Sequence, residues 1–68
     1  MTRVEAIERL KQGDELIYDN GPRYAEAHFR SDGERLRLDT AFKLKYSGLV
    51  FIKKSPTAHG VEYLTWKD

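Results

Sequence analysis

The sequence contains no cysteine, only two prolines, and one tryptophan. Without cysteine there is no disulfide to staple the fold, no thiolate nucleophile and no cysteine-built zinc site. The same absence fits a reducing compartment. Histidine is scarce as well: His28 and His59 stand alone, with no cysteine or local carboxylate at ligand spacing, so no metal is expected. The longest apolar run is Leu49–Ile52, far below the roughly 18 residues that span a bilayer. Thr2-Arg3-Val4-Glu5 leads into charge, not into the apolar stretch of a signal peptide. The expectation is a cytoplasmic protein without membrane attachment.

Catalytic signatures are missing too. No G-x-S-x-G elbow, G-x-G-x-x-G turn or P-loop occurs. Gly13, Gly21, Gly33, Gly48 and Gly60 are isolated and sit at expected element boundaries. The hydroxyls of Thr2, Ser31, Thr40, Ser47, Ser55, Thr57 and Thr65 mostly fall at caps and turns, where local backbone hydrogen bonding accounts for them. Glu26 and His28 alternate on one strand face about 7 Å apart, a spacing that predicts no direct contact. A chain this short is also expected to leave little room for a small-molecule cavity of several hundred cubic ångströms. These features predict a non-enzymatic protein without a cofactor.

What is present reads as one folded domain spanning residues 1–68. Of its 68 residues, 40% are hydrophobic and 12% aromatic, more than disordered tails usually carry. Such a chain buries only about 60% of its unfolded surface, so caps and regular elements must carry much of its stability.

The first predicted element is a helix opened by a capping box, Thr2 with Glu5. Val4, Ala6, Ile7 and Leu10 supply its apolar stripe, Lys11 suits its C-terminal dipole, and Gly13 stops it. Residues 15–19 read as a strand, and Asp19-Asn20-Gly21-Pro22 as a turn. From Tyr24 to Arg30 the chain alternates, with Ala25, Ala27 and Phe29 on one face and Tyr24, Glu26, His28 and Arg30 on the other. The two alanines leave space for a bulky element, expected to be the first helix. Ser31-Asp32-Gly33 is a second turn, and Leu36 and Leu38 alternate with Arg35 and Arg37 as a short third strand.

Asp39 reads as the N-cap of a helix from Thr40 to Ser47, stopped by Gly48. Its inward residues would be Ala41 and Leu44, with Phe42 and Tyr46 on a neighbouring face and Lys43 projecting elsewhere. An extended conformation over residues 34–46 competes, because Arg35-Leu36-Arg37-Leu38 also alternates. Residues 49–54 and 61–66 form a C-terminal hairpin across the loop 55–60. The fold class is therefore α+β.

Charge supplies the functional clue. The net charge is +1, too small to imply a polyanion partner. The halves differ, however: residues 1–34 carry five bases against eight acids, net −3, and residues 35–68 carry seven against three, net +4. Arg35, Arg37, Lys43, Lys45, Lys53 and Lys54, with Tyr46 and His59 for polar or stacking reach, would form a phosphate-contacting surface if they converge. The competing reading is a solvated basic face, or lysines that guard an edge strand.

The order helix, hairpin, capped short helix and final hairpin resembles small winged-helix proteins of phage and prophage type, including the YjhX-like group. Gly48-Leu49-Val50 and Tyr63-Leu64-Thr65 carry the resemblance, and Leu10 to Gly13 is similar to the end of their first helix. It implies a winged-helix-like domain that binds duplex DNA or acts as a regulator of phage or mobile-element type. The chain departs from that pattern in having two helices where three are usual. Its short second helix also has few side chains able to read base edges. The alternative is a module that binds a host protein through some of Tyr18, Tyr24, Tyr46, Tyr63 and Trp66, with a homodimer as a related possibility.

Overall fold

A computed structural model describes residues 1–21 and 23–67. The element order is α1 (Arg3–Lys11), β1 (Leu16–Asn20), β2 (Ala25–Phe29), β3 (Arg35–Leu36), α2 (Leu38–Lys45), β4 (Val50–Lys54) and β5 (Val61–Trp66). The five strands form one antiparallel sheet in the order β3-β2-β1-β5-β4. This is an α+β fold, and its third strand and second helix settle residues 34–46 in favour of the helix. The Pro22 part of the first turn lies outside the described residues.

Helix α1 forms where its capping box predicts. The Glu5 amide donates to Thr2 Oγ1 at 3.2 Å, and the Thr2 amide donates to the Glu5 carboxylate at 3.1 Å. Ala6 and Leu10 are buried, but Val4 is 69% exposed, which corrects its place in the apolar stripe. Val4 and Leu10 are six residues apart, so they point about 120° away from each other around the helix.

Alternation sorts each strand between two faces. Leu16, Tyr18, Ala27, Phe29, Leu36, Val50 and Leu64 join Ala6, Leu10, Ala41 and Leu44 in one buried cluster. Both helices therefore cover the same side of the sheet. Ile17, Glu26, His28, Arg35, Tyr63, Phe51 and Lys53 fall on the other side by strand alternation. Helix α2 packs on β2 and β4, and α1 packs on β5. The element above the small residues of β2 is thus α2, not α1. Near the end of α1 the Arg9 guanidinium lies 4.2 Å from the centre of the Phe29 ring of β2.

Helix α2 begins earlier than expected. Its N-cap is Arg37, extended at φ −61° and ψ 140°, and no side chain caps it. The Ala41 amide donates to the Arg37 carbonyl at 2.9 Å. Leu36 is buried and opposite Ala27, so β3 ends there and the chain turns at the next residue. Asp39 is left in the first helical turn, where its charge still suits the helix dipole. Ser47 closes the other end: its hydroxyl donates to the Leu44 carbonyl at 2.6 Å and accepts from the Leu49 amide at 3.1 Å.

The C-terminal hairpin is not a free wing. Strand β5 pairs with β4 on one side and with β1 on the other, Leu16 opposite Leu64. Among the described residues, no helix is long and apolar enough to cross a membrane.

Candidate binding surface

The described interior is satisfied in its side-chain hydrogen bonding. Among the described residues no buried side-chain nitrogen or oxygen lacks a hydrogen-bond partner, and no cluster of three His, Asp or Glu residues is placed to hold a metal. The less usual features lie on the surface.

The outer face of α2 is the least ordinary part of that surface. With Ala41 and Leu44 fully buried, helical geometry sends Phe42 and Tyr46 outward. They are 53% and 66% exposed, and their ring centres lie 4.8 Å apart at an interplanar angle of 60°. Leu38, one turn earlier, is also exposed. Three large apolar side chains thus line one exposed strip. Lys43 stands beside them without a carboxylate partner among the described residues.

The basic residues do not share one face. Arg35 lies on β3 and Lys53 and Lys54 on β4, the two opposite edges of the sheet. Arg35 approaches Glu26 at 3.6 Å, and Arg37 approaches Asp39 at 3.4 Å. Lys53 is opposite Tyr63 on the helix-free side, whereas Lys54 is opposite Glu62 on the helix side. Lys45 is bound to Glu62 in a pair only 16% and 14% exposed. That hydrogen bond, opposed by desolvation, holds the Lys45 ammonium above the ordinary lysine range. Its charge is already spoken for. The ammonium also lies 5.2 Å from the Tyr18 ring centre and 5.4 Å from that of Tyr46.

A smaller subset does meet. An open groove of about 410 Å³ is lined by Asn20, Lys45, Lys54, His59, Gly60 and Glu62. A second, of about 380 Å³, lies against Asp19, Arg23, Tyr24 and His59. Cavity space is therefore larger than chain length suggested, because the 55–60 loop folds back on the β1 end and leaves a depression on each side of His59. The loop is held there by the Asn20 amide, which donates to the Gly60 carbonyl at 2.8 Å.

One further expectation is corrected. His28 Nδ1 lies 3.2 Å from Glu26 Oε1. Residues two apart on one strand face have distant backbones, but a glutamate is long enough to lean along the strand and close the gap. Arg35 shares the same carboxylate.

Leu38 and Phe42 are the surface residues that sequence reasoning left out of the site. Placing Phe42 requires only the inward positions of Ala41 and Leu44; Leu38 alternates with Arg37 like a strand residue, although it opens α2. Comparison with family models, with curated proteins and with solved structures finds no match to the chain.

Proposed function

We propose that this domain is a non-enzymatic binding module whose partner is a protein, engaged through Leu38, Phe42 and Tyr46. The exposed aromatic pair on α2 carries the reading. Aromatic residues are enriched among the few that dominate interface energies, and an apolar strip on a small domain is a common mark of such a contact. Lys43 beside the strip, free of any carboxylate among the described residues, favours a partner segment that combines apolar residues with Asp or Glu. The likeness in layout to small winged-helix regulators is compatible with this reading, since a short helix feeding a hairpin is common to both.

Duplex DNA is the second reading, supported by Lys54 and His59 beside one groove and by the exposed Lys43 and Lys53. Base reading by α2 has little support, because its outer face offers rings and not amides or guanidinium groups.

Selection from a random peptide library separates the two. The expected outcome is enrichment of peptides with apolar residues at helical spacing and acidic neighbours. Their binding should be lost in Phe42→Ser and Tyr46→Ser, with circular dichroism unchanged. In parallel, fluorescence anisotropy with random duplex DNA should show no salt-dependent binding. A salt-sensitive DNA affinity that survives Phe42→Ser but falls in Lys54→Ala would overturn the protein-partner reading in favour of DNA.

A further inference from the structure

The two sheet edges differ in kind. β3 is a two-residue strand, while β4 is five residues long and pairs only with β5. Four of the five β4 residues are exposed, including Phe51 at 56% and Ile52 at 41%. An apolar edge of this length is the sort that natural proteins usually cover or interrupt.

The direction of its free main-chain groups follows from the ladder. The Lys67 amide donates to the Leu49 carbonyl and the Ser55 amide to the Val61 carbonyl, each at 2.9 Å. With Val50 opposite Trp66 and Lys54 opposite Glu62, Phe51 and Lys53 turn their main-chain groups toward β5, as do the Leu49 carbonyl and the Ser55 amide at the two ends. Val50, Ile52 and Lys54 therefore turn their amides and carbonyls outward, along the uncovered edge.

We infer that β4 pairs antiparallel with β4 of a second copy of this chain, the two-fold axis passing through the Ile52 pair. In this register the outward residues meet one another: Val50 faces Lys54 of the second copy, Ile52 faces its counterpart, and each facing pair exchanges two hydrogen bonds. No lysine meets a lysine. Phe51 instead sits opposite Lys53 of the second copy, in reach of a cation–π contact. Sliding by one pairing step in one direction puts Lys53 on Lys53, a like-charge pair that destabilises a sheet. Sliding the other way brings Gly48 into the ladder, and its φ of +79° is not strand geometry. The strand thus selects its own partner and register, and the lysines that would block a foreign strand fix the alignment. A net charge of +1 adds little repulsion between copies. An edge this short buries less than a standard interface, so the dimer is a weak one.

Amide hydrogen exchange by NMR, from about 10 µM to about 1 mM protein, tests it over the range of weak complexes. The amides of Val50, Ile52 and Lys54 should gain protection as concentration rises, at least about tenfold over that range, with sedimentation velocity reporting a dimer in step. Those of Phe51 and Lys53 are bonded within the monomer and should stay protected throughout. Ile52→Lys places lysine on lysine at the axis, and Ile52→Pro removes an outward amide at a position an edge strand tolerates. Each should return the protein to a monomer with an unchanged fold. Phe42→Ser, by contrast, should leave dimerisation intact, so the fate of the α2 surface is read separately. Concentration-independent exchange at all three amides, or a dimer that persists in both Ile52 variants, would overturn the inference. So would a dimer abolished by Phe42→Ser.

Discussion

Gly60 lies against Asn20 so closely that a Cβ on the glycine would stand 2.6 Å from the Asn20 carbonyl oxygen. The backbone there has φ +81°, a conformation that costs any L side chain. Close approach and positive φ together explain why the 55–60 loop folds onto the end of β1. They also make a sharp comparison with Gly13, whose φ is +97° but which has nothing within 4 Å of the same position. Gly13→Ala should cost about 1 kcal/mol from backbone strain alone. Gly60→Ala should cost clearly more, about 2–4 kcal/mol, because the contact is with backbone and the loop must move. Urea unfolding of both variants checks the order, and equal losses would mean the loop yields without resistance.

Arg9 ties α1 to the β2–β3 turn. Its guanidinium donates to Asp14 Oδ2 at 2.6 and 2.9 Å, to Glu34 at 3.0 Å and to Ser31 at 2.8 Å, and it contacts Asp32 at 3.1 Å. Arg9→Met keeps an unbranched apolar side chain but deletes the fork and its contact with the Phe29 ring. It is expected to lower stability by about 1–3 kcal/mol. Arg9→Lys should recover little of this, since one ammonium cannot replace a planar fork shared among several acceptors. Denaturation midpoints measured at low and high salt would show how much of the loss is electrostatic.

The two helix starts predict different sensitivities. Thr2→Ala removes a hydroxyl that accepts from the Glu5 amide and should cost about 1 kcal/mol. Asp39→Ala removes a carboxylate that caps nothing, and its effect should stay within a few tenths of a kcal/mol. A larger loss at Asp39 in thermal melts would mean that α2 in solution starts at Thr40.

The pH dependence is two-sided. The Asp32 carboxyl is held below its ordinary value, first by the Glu34 amide and then by Arg9; that of Glu5 is lowered by the Thr2 amide and hydroxyl. A depressed folded value contributes stability above the unfolded value and loses it as pH falls through the folded one. The acid limb should therefore appear below the usual carboxylate range, shallow because both groups are exposed. Lys45 has the opposite sign: Glu62 raises it, so its contribution holds below the ordinary lysine value and fades as pH climbs through the raised one. Urea midpoints measured through each limb check the two signs. Asp32→Asn should flatten the acid limb, and Lys45→Met the alkaline one.

Much of the fold was legible because local chemistry states it. The Thr2–Glu5 box, the alternation through Ala27 and Phe29, and the final hairpin depend on neighbours close in sequence. What escaped depended on distant ones. Leu36 ends β3 through its place opposite Ala27, and that moved the start of α2 from Thr40 to Leu38. The basic surface failed to gather for the same reason. A count of lysines and arginines in the second half contains no information about strand order, and β3 and β4 end on opposite edges. Reading Lys45 as a phosphate contact misses Glu62, the partner that the sheet brings near it.

The pairing of β1 with β5 joins the beginning of the sheet to its end. The N-terminal hairpin can form early, but Leu16 remains without a neighbour on its second side until Leu64 has been synthesised. That makes the β1–β5 contact one between remote parts of the chain, where the entropy cost of loop closure is high. During translation the ribosome would thus hold a chain whose central strand is still an open edge, and the native sheet would close only once nearly all of it has emerged from the exit tunnel.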